Sequence, residues 1–230
     1  MIDGLRTLFA EYDVLGAFWM TIKLTVLSAI GSLVIGTVIA VLRVSPVSVL
    51  RLFGTSYVNI IRNTPLTLIV FFCAFGISNT LGITLARQDS PTFIVDNNFR
   101  FGVIALAIYH AAFAAEALRS GINTVGQGQA EAARAIGLSF MPTLSNVVLP
   151  QAFRGAIAPL GNTMIALTKN TTVVATIGVA EASLMMKNML EFNISLLFPI
   201  FIIMAGGFVL LTLPMGVAFT WLSRRLAVQR

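Results

Sequence analysis

Along this chain, apolar stretches alternate with short charged segments, and the gaps between charges set the elements. Only Lys23 interrupts the run from Asp13 to Arg43, and nothing charged lies between Arg62 and Arg87. The run from Arg100 to Glu116 is also uncharged, Lys169 alone breaks Arg154 to Glu181, and Glu191 to Arg224 is free of charge. A helix needs about 20 apolar residues to cross a bilayer. The pattern therefore predicts five spanning helices over residues 14–42, 63–85, 99–118, 153–178 and 195–222. The third run is short and is carried on to Leu118. The expected architecture is all-α, a polytopic membrane protein in a single transmembrane domain over residues 1–230.

Composition agrees. Of 230 residues, 57% are hydrophobic and 10% charged, against roughly 45–50% and 25% in soluble domains. So few charges cannot cover a soluble body of this size, and so much apolar content excludes disorder. Cys73 is the only cysteine, which excludes a disulfide scaffold. The first 20 residues carry Asp3, Glu11 and Asp13 and lack a basic segment, so no cleavable signal peptide is expected. The net charge of +6 is scattered singly between apolar runs, which does not suit nucleic acid.

Five spans place alternate connections on opposite sides. One side holds residues 43–62, 116–154 and the C-terminus, with Arg43, Arg51, Arg62, Arg119, Arg134, Arg154, Arg224, Arg225 and Arg230 against Glu116 and Glu131. The other holds Arg6, Arg87, Arg100 and Lys187 against Asp3, Glu11, Asp13, Asp89, Asp96, Glu181 and Glu191. The positive-inside rule makes the first side cytoplasmic. The N-terminus is then outside and the C-terminus inside.

The longest connection, about 119–152, is cytoplasmic in this arrangement. Gly128 to Ile136 contains strong helix formers, and Gly137 stands where a C′ glycine would stop a helix. Residues 139–149 read as a second short helix, opened by Ser139, with Pro142 in its first turn and Pro150 ending it. The pattern alone leaves two readings, a docking surface or a solvated surface helix.

The run Glu131-Ala132-Ala133, with Gly137 and then Val147, Leu149 and Pro150, resembles the EAA loop of binding-protein-dependent ABC importer permeases. Val147 stands where the usual pattern has Ile. Glu116 to Ile122, Gly128-Gln129, Arg62 to Leu66, Asn162 and Lys169 to Thr172 resemble the polar amino acid branch of that family, and within it the glutamate-uptake permease subunits of actinobacteria. The likeness covers about residues 14–225. It implies the type I ABC importer permease fold in a bacterial plasma (inner) membrane, and alternating access as the mechanism. It also implies a cytoplasmic ATPase dimer, a second and paralogous permease, and an extracytoplasmic substrate-binding protein. In such a system the short helix carrying Glu131, Ala132, Ala133 and Gly137 seats on the ATPase, with Arg134 holding the loop internally. ATP and Mg would be bound by the ATPase. This chain lacks a phosphate-binding Gly-x4-Gly-Lys-Ser/Thr loop and, with one His and one Cys, a typical zinc site, so it is expected to hold no cofactor of its own and not to be an enzyme.

Ionisable groups within a bilayer each cost roughly 2.5–3.5 kcal/mol on insertion scales and need a reason. Lys169, with Asn170, Thr171 and Thr172, predicts a break or turn in the fourth span beside a cavity. The residues taken as lining a substrate pathway are Asn63 and Thr64 at the start of the second span, Asn162 and Thr163, Lys169, Asn170 and Thr171. Lys23 is either a snorkelling group at the outer interface or a charge offered to an anionic cargo. His110 is expected as a packed interface group, Cys73 as apolar filling. Ser32, Gly36 and Ala40 form a small-residue row suited to close helix packing. The functional reading is the permease subunit of an ATP-driven importer of a polar amino acid, glutamate first. Alternatives are a different amino acid or an ion-coupled secondary transporter, for which internal inverted repeats are missing.

Overall fold

A computed structural model describes residues 8–226. Asp3, Arg6 and Arg230 of the charge tally lie outside them. Every regular element among the described residues is helical. Helix α1 (Val14–Val44) is opened by the Asp13 carboxylate, which accepts the Gly16 N–H at 2.8 Å, and closes at Ser45 before Pro46. Helix α2 (Ser48–Asn63) and α3 (Leu66–Phe71), the latter running on as a π-helix over Phe72–Thr80, meet at Thr64-Pro65 with a bend of 105°. Helix α4 (Phe93–Ile122) is followed by α5 (Gln127–Ala135) and α6 (Phe140–Thr143). A π-helical turn, Leu144–Val148, leads into α7 (Leu149–Asn170), which tightens to a 3₁₀-helix over Thr171–Ile177. Helices α8 (Ala182–Phe192) and α9 (Leu197–Leu226) complete the chain.

Three helices are by themselves long and apolar enough to cross a membrane, and counting each bent pair as one span brings the number to five. Helix α4 is the centre, packed between α1 and α7. Near one end of the bundle Leu24, Leu66, Val70, Phe101, Leu106 and Val174 form a buried cluster; near the other, Ile39, Ala40, Val58, Ala115, Leu118 and Leu160 form a second. The small-residue row on α1 lies against the alanines of α4. A Cβ at Gly36 would stand 2.8 Å from the Ala114 Cβ and 2.9 Å from the Ala111 carbonyl. Helices that approach this closely gain dispersion and need no hydrophobic driving force, which lipid does not supply. The outward faces are apolar: Val26, Ile30, Val34 and Val38 on α1, and Phe198, Ile202, Val209, Leu213 and Val217 on α9 are all exposed, as suits contact with acyl chains.

Three expectations are corrected. Residues 43–62 are not a loop: α2 is an amphipathic helix that buries Gly54 and Val58 on the bundle. Its arginines broke the apolar run in the sequence; in the structure both stay exposed, Arg51 donating to the Ser45 carbonyl at 2.9 Å and Arg62 lying 3.8 Å from the Glu116 carboxylate. Pro150 does not end the helix after Ser139. It occupies the first turn of α7, directly after the π turn Leu144–Val148, and that wider turn relieves the ring's clash with the preceding turn. The segment 181–191 is largely the helix α8, whose N-cap is Glu181.

Candidate functional site

The α5–α6 connection is held by its own backbone. Gly137 has φ +93°; its N–H donates to the Arg134 carbonyl at 2.9 Å, and the Leu138 N–H donates to the Ala133 carbonyl at 3.1 Å. This pair of bonds is the Schellman closure, which favours glycine at C′. The Gln151 amide nitrogen, on α7, donates to the Gln129 side-chain oxygen at 2.5 Å and to the Val147 carbonyl at 2.8 Å, tying the short helix to the bundle.

Helix α5 therefore has two faces. Glu131, Ala132 and Arg134 are exposed, whereas Ala133 is buried. Ala133 belongs to the inner face, so of the residues expected to form a seat Glu131, Ala132 and Arg134 are those on the outward side. Ile136, 81% exposed, stands next to Gly137 and extends that outward surface; its apolar type gave no sign of this in the sequence. Arg134 makes no side-chain hydrogen bond or ion pair among the described residues. It lines a cleft of about 800 Å³ with Ala130, Phe140, Arg51 and the turn at Ser45-Pro46, so the internal tie assigned to it is carried by Gln151 instead.

The polar residues of the spans fall into separate groups. His110 is buried, with Nδ1 2.9 Å from the Leu106 carbonyl and Nε2 3.1 Å from the Asn170 amide nitrogen, a packed interface group. Lys169, one residue before Asn170, is exposed at the point where α7 tightens into its 3₁₀ turn. Thr171 is fully buried and donates to the Thr168 carbonyl at 2.8 Å. It supports the change of helix and lines nothing, contrary to its expected pathway role. Asn63 and Thr64 donate back to the Asn59 and Ile60 carbonyls at 2.7 and 2.8 Å, capping α2 at its break. Thr163 donates to the Pro159 carbonyl at 3.0 Å. Asn162 faces a crevice of about 250 Å³ against α9, with Gly216, Thr220 and Arg224, and is not grouped with Asn63. Lys23 lies 5.9 Å over the Phe99 ring. Phe99 and His110 are eleven positions apart on α4, about 16 Å of helix, so Lys23 and Lys169 occupy different levels.

Sequence reasoning missed a charged cluster. The Glu116 carboxylate on α4 accepts from Arg43 of α1 at 2.5 Å and from Arg119 at 3.1 Å, and Arg62 of α2 lies 3.8 Å away. Arg62 also covers the Phe113 ring at 5.4 Å. The available signal was that Glu116 is the lone acid near the ends of three apolar runs that also end in arginine.

Residues 32–228 match the family model described as "Binding-protein-dependent transport system inner membrane component". The glutamate transport system permease protein GluC of Corynebacterium glutamicum is 55% identical over 98% of this chain and 100% of its own length. The probable glutamine ABC transporter permease protein GlnM of Bacillus subtilis is 36% identical over 91% of each. Among solved structures, one described as an amino acid ABC transporter with histidines superposes with a TM-score of 0.77 at 29% identity, covering 92% of this chain and 93% of that one. The MetNI methionine ABC transporter, at 18% identity, shares the fold with a TM-score of 0.77 over 99% of this chain and 100% of that one. These likenesses support the type I importer permease architecture and leave no basis for an ion-coupled carrier. With about six-sevenths of its length matched and a bundle that superposes on solved transporters, the chain belongs to the family of binding-protein-dependent transport system inner membrane components, translocation subunits whose ATPase is a separate protein.

Proposed function

We propose that this chain is a glutamate permease: one of two membrane subunits of an ATP-driven importer that moves glutamate inward by alternating access. The observation that carries the cargo is the 55% identity to a glutamate transport permease over that relative's full length. The proposed arrangement has five spans, α1, α2–α3, α4, α7 and α9, with the N-terminus outside and the C-terminus cytoplasmic, in keeping with the excess of arginine on the side of α5. A paralogous permease, an extracytoplasmic binding protein and a cytoplasmic ATPase dimer that binds ATP and Mg complete the machine.

In this reading α5 is the seat for the ATPase. Glu131 projects a carboxylate to meet a basic group there, and Ala132 lets a partner backbone approach. Ala133, Gly137 and the Gln151 bonds hold the helix rigidly enough to transmit force. Closure of the ATPase dimer moves α5 and the attached end of α4, and the two permease halves rock. Exposed Lys169, with Asn170 braced by His110, supplies a polar surface at the middle of the bundle, where an amino acid must shed water. Asn63 and Thr64 mark the break in the second span, and Asn162 and Thr163 a second polar surface on the α7 side. Lys23 sits near the outer end, where its charge draws an anionic cargo.

The test is uptake of labelled glutamate into proteoliposomes containing the four-part complex, with unlabelled amino acids as competitors. ATP-dependent uptake suppressed by excess glutamate and left intact by glutamine is the expected result. No ATP-dependent uptake of labelled glutamate, with labelled glutamine imported in its place, would assign the cargo to glutamine, as the name of the 36% identical relative suggests.

A further inference from the structure

The Glu116 cluster lies between the α5 connection and the break in the second span, and its geometry is uneven. Glu116 sits on α4 six residues before the last residue of that helix, Ile122, so it moves with the segment that leads directly into α5. Its bonds to Arg43 and Arg119 are short, 2.5 and 3.1 Å, while Arg62 is held at 3.8 Å. Arg62 is the penultimate residue of α2, next to the bend at Thr64-Pro65. One carboxylate faces three guanidinium groups, and the buried Nε of Arg119 has no partner. The cluster therefore has more donors than Glu116 can satisfy, and Arg62 is the member held most loosely. In the same conformation the Arg62 guanidinium lies 5.4 Å over the Phe113 ring, where a cation is attracted to the aromatic face. Two short bonds that fix the carboxylate and one longer contact that reaches the next element are what a link between two moving elements requires.

We propose that Glu116 is a positioning residue for transport: through Arg62 it carries the movement of the α4–α5 end to the break in the second span. This rests on the importer reading. Arg43 anchors the carboxylate to α1, so that a displacement of α4 is delivered to α2 rather than lost in rotation of the Glu116 side chain. Removing the charge at either end of the Glu116–Arg62 link should leave the ATPase turning over while the membrane half fails to follow.

The experiment uses the complete complex in proteoliposomes and reads ATP hydrolysed per labelled glutamate imported. The unaltered complex must show ATP-dependent uptake; its absence there counts against the importer reading and not against the link. Glu116→Gln and Arg62→Met are each expected to raise the ATP-to-glutamate ratio at least tenfold while ATPase rates change less than twofold. Glu116→Asp and Arg62→Lys, which keep the charges, are expected to recover most of the coupling. A merely structural role would reduce the amount of assembled complex and both rates together, leaving the ratio where it was, and that result overturns the proposal. If Glu116→Gln does not assemble, Arg62→Met decides alone: it keeps an apolar side chain on Phe113 and leaves the Arg43–Glu116–Arg119 bonds in place, and an unchanged ratio in it refutes the link.

Discussion

Glu181 shows how one buried carboxyl sets a pH dependence. It lies in the turn between α7 and α8, beyond the last residue of the fourth apolar run, and is fully buried. Burial pushes its carboxyl up to about 7 from an ordinary 4.5, against the opposing effect of two backbone N–H groups, of Ser183 and Leu184, that donate to it at 2.9 Å. The folded pKa is above the unfolded one, so the protonated form favours folding. That contribution is whole below about pH 4.5, declines as the pH rises toward 7, and is gone above it. Thermal unfolding of the purified complex should therefore show a midpoint higher at pH 5 than at pH 8. Glu181→Gln keeps an acceptor for one of the two N–H groups, which reach different carboxylate oxygens, and removes the proton equilibrium, so the variant is less stable at both pH values but the difference between them should shrink by more than half. An equal difference in the variant would assign the titration elsewhere. A second residue-scale outcome concerns Gly121, where α4 and α7 touch. A Cβ there would run into the Ala152 carbonyl and press on the Ala156 Cβ at 3.0 Å. Because the obstacle is backbone, Gly121→Ala should destabilise the fold by about 1–3 kcal/mol, measured as a lowered unfolding midpoint at fixed pH.

At the scale of elements, what was legible in the sequence was local, and what was hidden was not. Asp13 to Arg43 is a single helix because no helix breaker or cluster of charges interrupts it. Gly137 marks a helix end because φ +93° disfavours any side chain. Helix α2 was hidden because its charges look like a loop, and the acid that Arg62 approaches, Glu116, lies 54 positions along the chain. The continuity across Pro150 was hidden because a π turn accommodates proline without a sequence mark. The inward aim of Ala133 was hidden because an alanine suits either face of a helix. Gly137 also carries the element-scale prediction. Gly137→Ala forces a β-carbon into the left-handed region, at a cost of roughly 1–2 kcal/mol, paid locally by fraying of α5. Hydrogen exchange of the α5 amides should then accelerate while that of α4 is unchanged. Equal protection in both proteins would mean that the closure contributes nothing to the rigidity of the seat.

For the whole molecule, the question is whether work enters through the exposed face of α5. Glu131 is exposed and makes no hydrogen bond or ion pair within the described chain. Changing it therefore leaves the bundle's packing untouched, and surface substitutions of this kind usually stay within about 0.5 kcal/mol. Glu131→Lys reverses a charge that the seat presents to its partner, and an unpaired like-charge contact across a desolvated interface costs several kcal/mol. The expected outcome is divided. The variant inserts into membranes and unfolds at the same temperature as the unaltered permease, but recovers at least tenfold less ATPase on affinity purification and supports no ATP-driven uptake. Ala133, facing inward, should behave in the opposite way: Ala133→Leu overfills the face beneath the seat and lowers stability before it lowers ATPase recovery. If Glu131→Lys retains full ATPase binding and uptake, force enters the bundle through some other surface, and the Glu116–Arg62 link has to be driven from there.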